Sequence, residues 1–228
     1  MPRAQRLSAD VRRRQIIETA REVFSGQSYR KVGTADVAKA AGVSEPALYR
    51  YFSSKKELFL ATLRATAPKL LEVWQEIASD IDDPLETLWS IGVSYYDHLQ
   101  HHSGNMKLQF QALSEADDPE IREALRENFG SFVTFVADTL DEGKRRGIVR
   151  SDIDSRLVAW QFLGIGLTLD MMHMLGFSSE MDRSKAEQWS RLYQEVLRIP
   201  SKQTGVGPGV RTVSELAAHQ GWPLEVEA

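Results

Sequence analysis

The sequence predicts an all-α protein of about nine helices, with a small N-terminal three-helix domain and a larger helical domain behind it. Three observations support this. Apolar residues recur at helical spacing along most of the 228 residues, and no alternating strand pattern of useful length interrupts them. Helix-opening Ser and Asp residues and helix-closing glycines punctuate the chain at helical intervals. Charge is also divided along the chain. Residues 1–60 hold 12 Lys and Arg against 6 Asp and Glu, a net of +6, whereas residues 61–228 hold 16 against 26, a net of −10, together giving −4. The expected boundaries are 1–55, 56–199 and a Gly-rich tail at 200–228.

The first helix covers residues 11–24. Arg12, Arg13 and Arg14 lie in its first turns, with Arg3 and Arg6 upstream. Such an arm suits phosphates or a minor groove, and a solvated basic helix start is the alternative. The stretch 34–58, TADVAKAAGVSEPALYRYFSSKKEL, reads as two short helices joined by a tight turn and followed by a third helix start. Val37, Ala38 and Ala41 give the first short helix an apolar face, Gly42 can take the positive φ that ends it, and Val43 plugs the turn. Ser44 is an N-cap. Leu48 and Phe52, four apart, anchor the second helix inward and direct Glu45, Pro46, Ala47, Tyr49 and Arg50 outward. An exposed face with Tyr and Arg suits a DNA groove. Ser54 and Glu57 form an S-x-x-E capping box that opens a longer helix. Lys55 and Lys56 in its first turn oppose the helix dipole, a placement that suggests phosphate contact.

Further along, Asp83-Pro84 and Asp118-Pro119 are caps with proline at the first helical position. Gly104 separates a helix ending near His102 from one covering residues 107–114, and Gly147 ends the long helix that begins at Pro119. Asp154 and Asp182 open the last pair, at about 154–176 and 182–198.

The pattern AxxAGVSxxxLYxYFxxKxEL resembles the signature of the TetR family of bacterial transcriptional regulators. The resemblance covers roughly the first quarter of the chain. It implies that the positions of Thr34, Tyr49, Tyr51 and Lys55 contact phosphates, while Glu45, Pro46, Ala47 and Arg50 lie nearest base edges, with Ser44 opening the DNA-facing helix. Many relatives carry His at the position of Tyr51, and Glu45 with Pro46 offers little guanine readout. Arg50 is therefore the candidate for a bidentate guanine contact, with a phosphate as its alternative target. The resemblance further implies a homodimer formed by the last two helices, double-stranded operator DNA as partner, and a small effector that shifts the long helix from Ser54 onward.

An aromatic-rich middle, Trp74, Trp89, Tyr95, Tyr96, Met106, Phe110, Phe129, Phe132 and Phe135, with Trp160 and Met171 to Met174 nearby, is the candidate lining of a pocket for a mainly apolar effector, and core packing is the alternative for each residue. Asp170, within an apolar run, needs a partner there: a base across a subunit contact or a cationic ligand. Exposure on one helix face is the alternative. In Leu163-Gly164-Ile165-Gly166-Leu167 no strand precedes the glycines and no GK[ST] follows, so close helix crossing at a subunit contact is preferred over phosphate binding, with Leu163, Gly164, Gly166 and Leu167 as dimer residues. His98, His101 and His102 share a helical face at i, i+3 and i+4, where a metal or the helix dipole is the alternative partner.

Several classes are disfavoured. Cys is absent, which removes disulfides and thiolate metal sites. No G-x-S-x-G, H-E-x-x-H or phosphate loop is present, so neither an enzyme nor a cofactor is expected. Without an uninterrupted apolar run of about 18 residues or a signal peptide, a cytoplasmic protein with no membrane partner is expected. The rival reading is a helical carrier of an apolar molecule with non-specific DNA affinity.

Overall fold

The computed structural model describes residues 8–101 and 104–199, which hold ten α-helices and one 3₁₀ turn. Arg3, Arg6, His102 and the tail 200–228 lie outside the described residues, as do the side chains of His101, Asn105 and Met106. The helices are α1 (Ala9–Gly26), α2 (Thr34–Ala40), α3 (Glu45–Leu48), α4 (Lys55–Arg64), α5 (Thr66–Asp80), α6 (Pro84–His101), α7 (Gly104–Ser114), α8 (Pro119–Arg145), α9 (Ser155–Met174) and α10 (Arg183–Leu197). Among the described residues there is no strand, only an isolated antiparallel bridge between Val149 and Arg198.

The helix starts follow local capping chemistry. Asp83, Asp118, Asp154 and Asp182 each accept backbone N–H groups of the turn that follows, at 2.8–3.4 Å. Gly42 (φ 65°) and Gly147 (φ 69°) take the left-handed conformation after α2 and α8. The long helix expected from Ser54 onward is instead divided at Ala65 into α4 and α5. Pro68 accounts for this: it has no N–H to bond the Arg64 carbonyl, and its ring would crowd that oxygen.

Two apolar clusters form the interior. The first joins Ile16, Phe24, Leu48, Phe52, Leu58 and Phe59 to Leu108, Ala112, Ile121 and Leu125. It therefore continues past residue 55, because α4 is buried between the N-terminal helices and α7 and α8. The second gathers Trp74, Leu85, Leu88, Phe132, Val136, Leu140 and Val158. Helix α8 contributes to both. Gly143 on α8 allows the close approach of residue 149, since a Cβ there would lie 2.5 Å from Val149 Cγ2. Gly143→Ala should lower stability by about 1–3 kcal/mol, seen as a fall in the urea midpoint, and an unchanged midpoint would show that Val149 moves freely.

Candidate DNA interface and ligand cavity

Helices α2 and α3 cross through the turn at Gly42, where the Val43 N–H donates to the Ala38 carbonyl at 3.0 Å. Ser44 caps α3 by accepting from the Ala47 N–H at 3.3 Å. Only residues 45–48 are α-helical; the Arg50 and Tyr51 N–H groups then bond three residues back, tightening the last turn. Leu48 and Phe52 are buried, while Tyr49 and Arg50 are exposed. Thr34, Glu45 and Tyr49 are brought together: the Thr34 hydroxyl donates to Glu45 Oε1 at 2.6 Å and lies 3.1 Å from the Tyr49 hydroxyl. Pro46 is exposed, and Ala47 and Tyr51 are half-buried.

Two lysines expected to behave alike are separated. Lys55 Nζ sits 4.3 Å from the centre of the Tyr29 ring, with no carboxylate partner among the described residues. Lys56 is not free for phosphate: it donates to Asp118 Oδ2 at 2.8 Å and lies 2.7 Å from Glu120 Oε1 at the start of α8, contacts that hold its pKa above the ordinary lysine value. The expected capping box is also displaced by one residue. Ser54 accepts from the Glu57 N–H, but the Glu57 carboxylate accepts from the Ser53 N–H and hydroxyl, both at 2.6 Å, which lowers its pKa. Arg13 stacks over Phe52 at 4.9 Å, placing one cation of α1 at the end of the recognition segment.

Behind this module, α5, α6, α8, α9 and α10 enclose a cavity of about 90 Å³. Of the residues expected to line a pocket, Trp74, Trp89, Tyr95, Phe129, Phe132 and Asp170 do so, and Phe135 does not. Tyr96 does not, because its hydroxyl turns away to the Met181 carbonyl at 3.0 Å. Phe110 on α7 and Trp160, half exposed on the outer side of α9, also lie off the cavity. Leu163, Gly166 and Leu167, expected at a subunit contact, line the cavity instead, and a Cβ on Gly166 would lie 3.6 Å from the Tyr95 ring. Gly164, by contrast, does not line the cavity, and a Cβ there would meet nothing within 4 Å. Phe162, Trp189 and Tyr193 complete the aromatic wall. The last two fall, with Ala186 and Leu197, on one stripe of α10, a signal the sequence carried at helical spacing.

Asp170 is 2 % exposed, which excludes both the solvent-facing alternative and a partner reaching it across a subunit surface. The Tyr95 hydroxyl donates to its Oδ2 at 2.6 Å, while Oδ1 has no partner. Burial pushes its pKa up to about 7 against the opposing effect of that hydrogen bond. Trp89 Nε1 is likewise buried without a partner. On the outside, Leu157, Trp160, Met171 and Leu175 of α9 and its C-terminal end, with Leu192 and Val196 of α10, form an exposed apolar face. Helix α9 is long and apolar enough to cross a membrane by length and composition, yet its inner side lines the cavity. No cluster of three or more potential metal ligands occurs among the described residues.

Residues 16–62, spanning α1 to most of α4, match the model for bacterial regulatory proteins of the tetR family. This N-terminal segment is therefore similar to that of the TetR family. Among its relatives, the transcriptional activator FasR of Mycolicibacterium smegmatis is 35 % identical over 109 residues, covering 48 % of this chain and 50 % of that protein. The transcriptional repressor KstR2 of Mycobacterium tuberculosis is 28 % identical over 148 residues, 64 % of this chain and 74 % of that one. The matched part thus spans half the length of FasR and about three quarters of KstR2. In overall structure, FadR of Bacillus subtilis in complex with stearoyl-CoA superposes with a TM-score of 0.64 at 22 % identity, covering 81 % of this chain and 97 % of that one, which shows a shared fold.

The buried Asp170 carboxyl sets a pH dependence. Its native pKa lies above the unfolded value of 3.8, so its contribution to stability is fully present below pH 4 and is lost as pH rises through about 7. Asp170→Asn should remove that slope, and the difference between wild type and variant should shift by roughly 4 kcal/mol at most between pH 4 and pH 8. Parallel urea-stability curves over this range would show that the carboxyl is not protonated by burial.

Proposed function

We propose that this protein is a ligand-responsive, sequence-specific repressor that binds a palindromic operator as a homodimer and is released by a mainly apolar small molecule. The observation that carries the reading is the short helix α3, anchored by buried Leu48 and Phe52, which leaves Tyr49 and Arg50 exposed beside the unpaired cation of Lys55. Arg50 reads a guanine edge, while Thr34, Tyr49, Tyr51 and Lys55 hold phosphates and Ser44, Glu45, Pro46 and Ala47 present the start of the helix to the groove. The exposed apolar face of α9 and α10 supports the dimer, which sets two such helices at the spacing of successive half-sites. DNA as partner places the protein in the bacterial cytoplasm.

The cavity supports the effector. Its volume is small beside the roughly 300–1,000 Å³ of sites for drug-sized ligands, so an occupant of that size must spread the helices. Phe129 and Phe132 carry such a displacement into α8. The adjacent Asn128 donates to the Leu63 carbonyl of α4 at 2.9 Å, and Asp118 and Glu120 hold Lys56 at the start of α4. Moving α8 therefore moves the DNA module, provided the ligand prefers the displaced state. Repression is the mode named for KstR2, whereas FasR is named an activator.

Sheared genomic DNA retained by the purified protein at near-physiological salt should be enriched in a few sites sharing an inverted repeat. Uniform retention would favour the carrier reading, and a reporter behind such a site that falls when the regulator is deleted would overturn repression. Lys55→Ala should weaken binding to all sequences and lower the salt slope by about 1, whereas Arg50→Ala should relax preference at one base pair; equal losses on every sequence would remove Arg50 from base readout. Trp160→Glu should separate the dimer in sedimentation, and an unchanged mass would assign the subunit contact elsewhere.

A further inference from the structure

The cavity's apolar wall accounts for most of its lining, but its two unpartnered polar atoms specify more. Asp170 Oδ1 has no hydrogen-bond partner, in a side chain that is almost wholly buried, and in the ionised form it is an acceptor with no donor. Tyr95 already occupies Oδ2 and so holds the carboxyl in one orientation. A buried oxygen left without a partner is costly, and a ligand that supplies the missing N–H or O–H removes that cost. The residues lining the cavity include no Lys, Arg or His. The other unpartnered atom, Trp89 Nε1, is a neutral donor and does not balance a negative charge, while Arg191 stacks on the Trp89 ring at 4.7 Å and is not among the lining residues.

Resting on the effector reading above, we infer that this cavity selects ligands with an apolar, aromatic-sized body and a single hydrogen-bond-donating head, an amine or a hydroxyl, that sits on Asp170 Oδ1, and that it discriminates against carboxylates. The aromatic wall of Trp74, Phe132, Phe162 and Tyr193 holds the body, with ring centres from Trp74 to Phe132 at 5.1 Å and from Phe162 to Tyr193 at 5.9 Å. At about 90 Å³ the cavity is nearer in size to one ring than to a drug-sized ligand. A carboxylate ligand would bring a second acid beside a buried carboxyl with no cation to compensate, whereas an ammonium would complete an ion pair with it and a hydroxyl would donate to it.

Four probes of one size separate these cases: phenethylamine, 2-phenylethanol, 3-phenylpropionate and ethylbenzene. Binding is measured by ligand-observed NMR titration and thermal shift on the full chain without DNA, so the result does not depend on whether the protein reads an operator. The amine and the alcohol should each bind at least tenfold more tightly than ethylbenzene, and the carboxylate at least tenfold more weakly than the alcohol. Asp170→Asn, which keeps the side chain's shape and an acceptor for Tyr95, should abolish the advantage of the amine and leave ethylbenzene unchanged. If ethylbenzene binds and the head groups make no difference, the inference fails while the apolar-effector reading stands, and the carboxyl is satisfied by water. Tighter binding of the carboxylate, or an amine advantage that survives Asp170→Asn, overturns it as well. Failure of all four probes to bind overturns both readings of the cavity.

Discussion

Helix α8 runs through both hydrophobic clusters, and the rest of the molecule is organised by that constraint. Its first turns bury Ile121, Ala124 and Leu125 among the N-terminal helices, and its second half buries Val133, Val136 and Leu140 in the larger core. A single rigid helix of 27 residues cannot satisfy both packings independently. Any change at one end is therefore felt at the other, because close-packed interiors transmit displacement instead of absorbing it. The side chains that line the cavity from α8, Phe129 and Phe132, lie next to Asn128, whose amide reaches the backbone of α4. The cavity and the N-terminal helices are thus mechanically adjacent although far apart in sequence.

Electrostatics reinforces that arrangement. The Asp118 carboxylate caps α8 with one oxygen and receives Lys56 with the other, so one side chain both starts the long helix and ties it to α4. Arg64 with Glu127 and Arg30 with Glu115 add contacts along the same seam. Exposed pairs of this kind are each worth little, but together they fix the orientation of the module against the body. Lys55, one residue from Lys56, rests on an aromatic ring and keeps its charge available.

The cavity sets one buried carboxyl among aromatic side chains. Evolution of an apolar pocket alone would not require Asp170, whose burial is unfavourable and which is only half satisfied by Tyr95. Its place facing the cavity gives the site a chemical preference as well as a shape. On the opposite side of the same helix the apolar stripe through Leu157, Trp160 and Met171 is left for another surface to cover. One helix thereby turns a buried carboxyl inward to the cavity and an apolar face outward.

Much of this was legible in the residues themselves. The starts of α6, α8, α9 and α10, the turn at Gly42 and the inward pair Leu48 and Phe52 follow from capping, φ preference and helical spacing, all of which act within about four residues. The family signature belongs to the same local chemistry. Tertiary packing decided the rest, since it depends on neighbours that spacing does not reveal. Lys56 found its partner 62 residues away. Gly166, Leu163 and Leu167 turned toward the cavity because Tyr95 of α6 packs against that side of α9, leaving Gly164 and Trp160 outward. A nearly uniform apolar helix gives no moment by which the sequence could say which side faces in. Most helix starts were therefore determined by the sequence alone, and the facing of α9, on which both the cavity and the exposed apolar face depend, was decided by the helices packed around it.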